Sequence, residues 1–172
     1  MSLRATIDKV LSVFMVILMA VLVLDVLWQI ASRYLNRLLI SWMNIQLPTK
    51  VYAFTDELAG FLLIWVALAG AAYVTGKKQH LAIDLLSAKL SQTGKRFVGR
   101  IINTLILLFA VLVMIIGGTW LVYTRFILGQ VSAALEIPIG YVYLIVPVSG
   151  ILISYYAIYD FIRGENPDQP QT

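Results

Sequence analysis

The sequence predicts an all-α integral membrane protein with four transmembrane helices plus short interfacial amphipathic helices. Of its 172 residues, 60% are hydrophobic and only 13% are charged, whereas soluble domains average about 25% charged residues. Four apolar segments of 18–24 residues occupy positions 10–30, 58–75, 101–123 and 139–162. A helix rises about 1.5 Å per residue and the hydrocarbon core is roughly 30 Å thick, so each segment is long enough to cross it.

The four segments are predicted to be helices because lipid offers the backbone no hydrogen-bond partners and because strand-like alternation is absent. The first segment follows Arg4 and Lys9, as the apolar region of a secretory signal would. It is longer than such a region, and no cleavage site of small residues follows it. We therefore expect a helix that the protein retains.

The distribution of Lys and Arg predicts the orientation of the spans. The two tails and the connection between the second and third segments carry nine of these residues, and the other two connections carry four. Positive residues collect on the cytoplasmic side, so both termini are predicted to be cytoplasmic. Residues 1–164 are expected to form a single transmembrane domain, and the polar residues 165–172 are expected to form a disordered tail.

Two connections have the pattern of interfacial helices. Residues 35–47 place Trp42 and several aliphatic residues at helical spacing before Pro48, and residues 80–90 combine good helix formers with a broad apolar arc. The alternative for residues 35–47 is an ordinary loop whose apolar side chains touch the neighbouring spans. A helix at 80–90 would lie on the cytoplasmic membrane surface, with its lysine side chain extending to the polar region.

Asp25 is the acidic residue that lies well inside a predicted span. Because a charge in lipid is costly, such a residue often belongs to a proton or sodium pathway. The alternative is structural, since Asp25 lies toward the outer end of its helix, where it could reach lipid headgroups or pair with Arg33.

Asp56 and Glu57 precede the second apolar segment. Acidic residues suit the N-terminus of a helix, and Thr55 could cap it. An ion pair with a partner subunit is the alternative interpretation of Glu57.

Trp65 lies in the middle of the second span, although Trp usually collects at membrane surfaces. The small residues Ala67, Gly70 and Ala71 follow it, and small residues permit close contact between helices. The pattern predicts a helix contact at Trp65 and Gly70, either within the chain or with another protein. In the fourth span, Pro147 predicts a kink.

The sequence contains no cysteine and a single histidine, His80. Disulfides, thiolate metal sites and a haem held by two histidines of this chain are therefore excluded. We expect His80 to contact Asp84 one turn later and to bind no metal. No nucleotide-binding loop, nucleic-acid-binding pattern or catalytic group is recognisable, so neither a cofactor nor an enzymatic activity is predicted.

Two stretches carry a resemblance to a known family. ELAGFLLIWVALAGAAYVTGKKQHLAID spans residues 57–84, and SAALEIPIGYVYLIVPVSG spans residues 132–150. Together with the four-helix hydropathy, they resemble the small membrane subunit of tripartite ATP-independent periplasmic (TRAP) transporters, over nearly the whole chain. By this resemblance, Glu57, Trp65, His80 and Asp84 are structural or interface positions without a catalytic role.

The resemblance implies a subunit of a sodium-driven transporter in the bacterial inner membrane. A large multi-helix subunit would form a heterodimer with this chain and carry the substrate and sodium sites through an elevator mechanism. A periplasmic binding protein would deliver an organic acid, such as sialic acid or a dicarboxylate. The small subunit would be a scaffold embedded in membrane lipids. Residues 35–50 form a longer connection than the family leads us to expect, and could add contacts to the binding protein.

Two other functions stay open on the residues alone. The chain could be an independent small ion-coupled transporter, acting as a homo-oligomer with Asp25 as the coupling carboxylate. It could instead be a membrane enzyme or a subunit that binds a quinone or haem, which the missing cysteine and single histidine disfavour.

Overall fold

The computed structural model describes residues 3–43, 50–77 and 92–162, and these are almost entirely helical. Four helical spans are long and apolar enough to cross a membrane, namely Arg4–Trp42, Ala53–Gly76, Phe97–Ile127 and Ile139–Ile162. The described ranges contain no β-strand, only an isolated bridge between Val131 and Pro138. The predicted class, an all-α protein with four helices able to span a membrane, is confirmed.

The elements are α1 (Leu3–Met43), α2 (Lys50–Gly76), α3 (Gln92–Phe109), a π-helical segment (Ala110–Gly117), α4 (Gly118–Ile127), α5 (Ile139–Tyr143) and α6 (Ile145–Ile162). The third span is formed by α3, the π-helical segment and α4, and the fourth by α5 and α6. We call the end where α1 begins and α6 ends the terminal end. The end where α1 leads toward α2 is the hairpin end.

The first helix is much longer than the sequence predicts. It continues without a break through Met43 and contains 41 residues, which corresponds to about 62 Å. Residues 35–43 therefore do not form a separate interfacial helix, and that prediction is wrong for them. No proline or glycine lies between residues 31 and 43, so the helix has no local reason to end at the membrane surface. Residues 44–47 and the predicted helix at 80–90 lie outside the described residues.

The four spans pack as a row rather than as a closed bundle. The main contacts join α1 to α2, α2 to α6, and α6 to the third span. A buried cluster runs along this row, and its members are Leu11, Ala69, Ala72, Ala110, Met114 and Ile153. Because each helix mainly contacts its neighbours in the row, large apolar side chains remain exposed on all four spans.

The contact face of α1 has a seven-residue period. Its buried residues Leu11, Leu18, Asp25 and Ser32 follow one another at this spacing. A seven-residue repeat keeps one stripe of a helix against its partner, as in coiled coils. The first half of the stripe is apolar and the second half is polar, so Asp25 is buried because of its place in the repeat.

Glycines let the third and fourth spans approach closely. A Cβ atom on Gly150 would lie 2.7 Å from the Cβ of Met114, and one on Gly118 would lie 2.8 Å from a methyl carbon of Val146. Both glycines are buried, and Met114 belongs to the π-helical segment. The side chain of Asn103 further joins the two spans by donating to the carbonyl oxygen of Ala157 at 2.9 Å.

The fourth span is interrupted at Leu144, between α5 and α6. Pro147 thus lies in the first turn of α6, where a missing N–H removes no helical hydrogen bond. The sequence predicts a kink at Pro147. The structure has a break in the helix at Leu144, three residues earlier.

Candidate functional site

An ion pair joins α1 and α2 at the hairpin end. Nη2 of Arg33 donates to both carboxylate oxygens of Asp56, at 2.8 and 2.9 Å, and the side-chain amide of Gln29 donates to the same carboxylate. The expected pairing of Arg33 with Asp25 does not occur. The two residues are eight positions apart, or about 12 Å along the helix, which exceeds the distance between neighbouring turns.

Asp25 is buried at the contact between α1 and α2. Its side chain is only 9% exposed, and its Oδ2 atom is buried without a hydrogen-bond partner. It lines an open groove of about 540 Å³ together with Val21, Leu24, Trp28, Phe54 and Thr55. Thr55 is buried and the four large apolar residues of this lining are exposed. A carboxylate in such a setting costs free energy unless a proton or a donor satisfies it.

Glu57 holds the loop that connects the third and fourth spans. Its Oε1 accepts from the N–H of Ala133 at 3.0 Å, and its Oε2 accepts from Ala134 at 3.0 Å and Leu135 at 3.2 Å. The hydroxyl of Ser132 donates to Oε2 as well. Successive backbone N–H groups of this kind form a concavity that binds anions. The carboxylate therefore pairs with hydroxyl and backbone donors of this loop.

The predicted role of Glu57 at the start of its own helix is wrong. The helix α2 begins at Lys50, so Glu57 is its eighth residue, and Thr55 lies inside the helix rather than capping it. The second apolar segment of the sequence starts at residue 58, later than the helix, because α2 extends beyond its apolar part. Both oxygens of Glu57 accept hydrogen bonds from this chain, across 75 or more residues of sequence.

Trp65 makes a contact within the chain. Its indole N–H donates to the carbonyl oxygen of Val142 at 2.9 Å, and its ring centroid lies 6.2 Å from that of Phe14. Val142 belongs to α5, just before the break in the fourth span. A single side chain in the middle of α2 thus contacts both α1 and the fourth span, which explains a Trp away from the membrane surfaces.

The other residues singled out by the sequence are dispersed. A Cβ atom on Gly70 would lie 3.4 Å from the Cε of Met15, which is ordinary contact between α2 and α1. Trp42 lies near the end of α1 with 85% of its surface exposed. His80 and Asp84 lie outside the described residues.

The terminal end carries a polar cluster that the sequence analysis did not predict. Nη2 of Arg4 donates to the carbonyl oxygen of Gly76 at 2.6 Å, and its Nη1 lies 3.4 Å from Oδ1 of Asp160. Arg4 therefore joins the start of α1 to the ends of α2 and α6. The sequence feature that could have indicated this cluster is the position of Arg4 and Asp160 at the ends of apolar segments.

Tyr156 forms the second part of this cluster. It is fully buried, and its hydroxyl donates to Oδ1 of Asp8 at 2.6 Å. The other oxygen of Asp8 lies 3.7 Å from Nζ of Lys77. A Cβ atom on Gly76 would lie 2.7 Å from the Tyr156 ring, so a glycine is required where α2 passes this tyrosine.

The two polar ends are separated by about the thickness of a bilayer. Asp8 and Arg33 are 25 residues apart along α1, or about 37 Å, compared with roughly 30 Å for the hydrocarbon core. Within residues 3–43, 50–77 and 92–162, no group of three or more His, Cys, Asp or Glu side chains could hold a metal ion. This fold and these polar ends define a multi-pass helical membrane protein with charged groups near both membrane surfaces.

Comparison with known proteins identifies the family. Residues 22–165 match the profile of the DctQ component of tripartite ATP-independent periplasmic transporters. The match covers most of the chain, which therefore belongs to this family, as the resemblance in residues 57–84 and 132–150 implies. A protein of Haemophilus influenzae that is named as a TRAP transporter small permease protein is 29% identical to this chain over 100 residues. That alignment covers 58% of this chain and 60% of the relative, so the chain spans about three fifths of the relative's length.

Proposed function

We propose that this chain is the small membrane subunit of a binding-protein-dependent secondary transporter and acts as a non-catalytic scaffold for the large transporter subunit. The observation that carries the proposal is the family match over residues 22–165. The relative from Haemophilus influenzae, named as a small permease protein, supports the same assignment.

The packing of the spans supports a scaffold. A row of four helices leaves wide apolar faces, and without a partner these faces meet only lipid. Lipid tails are as apolar as Leu side chains, so association in the membrane depends on packing and on polar contacts. A row offers a large area for both.

The proposed location is the bacterial inner membrane, with the terminal end in the cytoplasm. The excess of Lys and Arg in the tails and in residues 76–100 supports this orientation. The large subunit would form a heterodimer with this chain, and a periplasmic binding protein would dock from the hairpin end.

Sodium coupling, an elevator mechanism and an organic-acid substrate, such as sialic acid or a dicarboxylate, rest on the family resemblance. The substrate site would lie in the other subunits, and this chain would have no enzymatic activity.

Deletion of this chain tests the proposal. We expect that cells expressing the large subunit and the binding protein without it lose most uptake of the transported organic acid, and that the amount of large subunit in the membrane falls. Supplying the wild-type chain from a plasmid should restore both. Uptake at the full rate, with a normal yield of the large subunit, would refute the scaffold.

A second function has one observation in its favour. Asp25 is a buried carboxylate with an unpartnered oxygen inside a span, as expected of a coupling residue in an independent ion-coupled transporter that works as a homo-oligomer. Purified chain in proteoliposomes would then drive proton- or sodium-dependent uptake, which Asp25→Asn abolishes. Absence of uptake by the chain alone would exclude this function.

A further inference from the structure

We propose that the large membrane subunit docks in the groove beside Asp25 and inserts a hydrogen-bond-donating side chain that contacts this carboxylate. The proposal rests on the proposed function, because it requires a large subunit. It specifies which face of the helix row the large subunit covers, and that the large subunit contributes a hydrogen-bond donor.

The first argument is the contrast between Asp25 and the other acidic residues. Four acidic side chains in the described ranges accept hydrogen bonds or ion pairs within the chain, and these are Asp8, Asp56, Glu57 and Asp160. Asp25 is more deeply buried than any of them, yet its Oδ2 has no partner. Buried polar atoms in native structures are almost always satisfied, so the missing donor is expected to come from another molecule.

The second argument is the shape and composition of the groove. Its rim consists of large exposed apolar residues, Val21, Leu24, Trp28 and Phe54, and its polar residues lie deeper. An apolar rim around one buried polar group is typical of the centre of a protein interface. The terminal torsion of an Asp side chain is soft, so rotation about it turns a carboxylate oxygen toward the groove.

The depth of Asp25 favours a protein side chain over lipid. Asp25 lies eight residues, or about 12 Å, closer to the membrane centre than Arg33, which forms the ion pair at the hairpin end. Lipid acyl chains reach this depth but carry no hydrogen-bond donor, and headgroups carry donors but remain near the surface. A side chain such as Arg, Lys, Asn or Ser on a helix of the large subunit supplies a donor at this depth.

Site-directed photocross-linking tests whether the large subunit covers the face of the helix row that contains the groove. The chain contains no cysteine, so single-cysteine variants can be labelled with benzophenone maleimide and irradiated in membranes that contain the large subunit. Trp28→Cys and Val21→Cys place the probe on the groove. Ile30→Cys and Met19→Cys are matched controls, because residues two apart lie about 160° from each other around a helix at almost the same depth.

The members of each pair also have similar exposure, 63% for Trp28 against 59% for Ile30, and 41% for Val21 against 44% for Met19. We expect adducts with the large subunit from the two groove positions and few from the controls. Adducts mainly from Ile30 and Met19 would overturn the proposal, as would groove adducts containing only lipid or a second copy of this chain.

Substitution of Asp25 tests the proposed hydrogen bond between its carboxylate and the large subunit. Asp25→Leu keeps the branched shape of the side chain but leaves the partner's donor unsatisfied, so we expect roughly a tenfold or greater fall in the large subunit that co-purifies in detergent. Asp25→Asn keeps an accepting oxygen and should lose much less. Asp56→Asn, whose donors belong to this chain, is the control variant and should leave co-purification nearly unchanged.

The outcomes separate this inference from the proposed function. If the wild-type chain does not bind a large subunit at all, the scaffold itself is refuted. If the wild-type complex is stable and Asp25→Leu binds as well as wild type, only the role of Asp25 is refuted. Size-exclusion chromatography of the purified variant identifies misfolding, and the cross-linking result holds independently of it because Asp25 is unchanged there.

Discussion

At the scale of single residues, several polar side chains of this protein each satisfy a group in a distant part of the sequence. Glu57 holds the loop at residues 132–135, and Trp65 donates to the fourth span. Tyr156 and Arg4 join the terminal end in the same way. In a membrane these contacts are the specific part of the packing, because apolar side chains gain little by leaving lipid for one another.

The contacts of Glu57 can be tested by Glu57→Gln. The amide keeps the shape but removes the negative charge and one acceptor, so we expect the free energy of unfolding to fall. Hydrogen exchange at the amides of Ala133, Ala134 and Leu135 should become faster. Thermal unfolding in detergent and exchange mass spectrometry measure the two effects.

Glu136→Gln is the matched control, because Glu136 is an exposed acid in the same loop. It should leave both measurements close to wild type. Equal effects of the two substitutions would mean that the general charge of the loop matters, and not the contacts of Glu57.

At the scale of elements, the third and fourth spans are fitted to each other through backbone irregularities. The third span contains a π-helical segment, and the fourth is interrupted at Leu144 before Pro147. Both irregularities lie where Gly118 and Gly150 permit close approach. Substitution of either glycine therefore affects the crossing of two whole spans.

Gly150→Ala tests this fit. The added Cβ would lie 2.7 Å from the Cβ of Met114 and 3.2 Å from the carbonyl oxygen of Ala110, so the spans must separate. We expect the free energy of unfolding to fall by about 1–3 kcal/mol, as in other overpacked cores. The measurement is unfolding in detergent followed by circular dichroism.

Gly60→Ala provides the comparison, because an added Cβ there meets nothing within 4 Å. It should be neutral or slightly stabilising, since Ala favours helix over Gly by up to about 1 kcal/mol. A Gly150→Ala variant as stable as Gly60→Ala would show that the close approach is unimportant.

At the scale of the whole molecule, the row of helices has polar clusters at both ends and apolar faces between them. Arg33 and Asp56 mark the hairpin end, and Arg4 and Asp160 mark the terminal end. The last ten residues of α1 extend about 15 Å beyond Arg33, and Trp42 is almost fully exposed there. With Arg33 at the membrane surface, as proposed, this projection would give the hairpin end a surface that suits contact with a soluble partner.

The proposed orientation predicts different labelling of the two ends. Trp42→Cys should react with a membrane-impermeant maleimide in intact spheroplasts, because the hairpin end is proposed to be periplasmic. Lys9→Cys should react only after permeabilisation, and both positions are exposed. The cysteine-free chain is the negative control. If only Lys9→Cys were labelled in intact spheroplasts, the proposed orientation would be wrong and the terminal end would be periplasmic.

The sequence by itself determined the class of protein and the number of spans. A membrane span needs a continuous apolar segment of a fixed length, so it can be read locally, and the family pattern in residues 57–84 and 132–150 is likewise local. The sequence also indicated Asp25, Glu57 and Trp65 as unusual, because each departs from what a span normally contains.

Only the tertiary structure decided what those residues contact. Glu57 was expected at the start of its own helix and instead binds a loop 75 residues away, and Arg33 pairs with Asp56 rather than with Asp25. The length of α1 was also missed, because hydropathy shows where lipid ends but not where a helix ends. Partners brought together by folding depend on the order and register of the spans, and no local pattern contains that information.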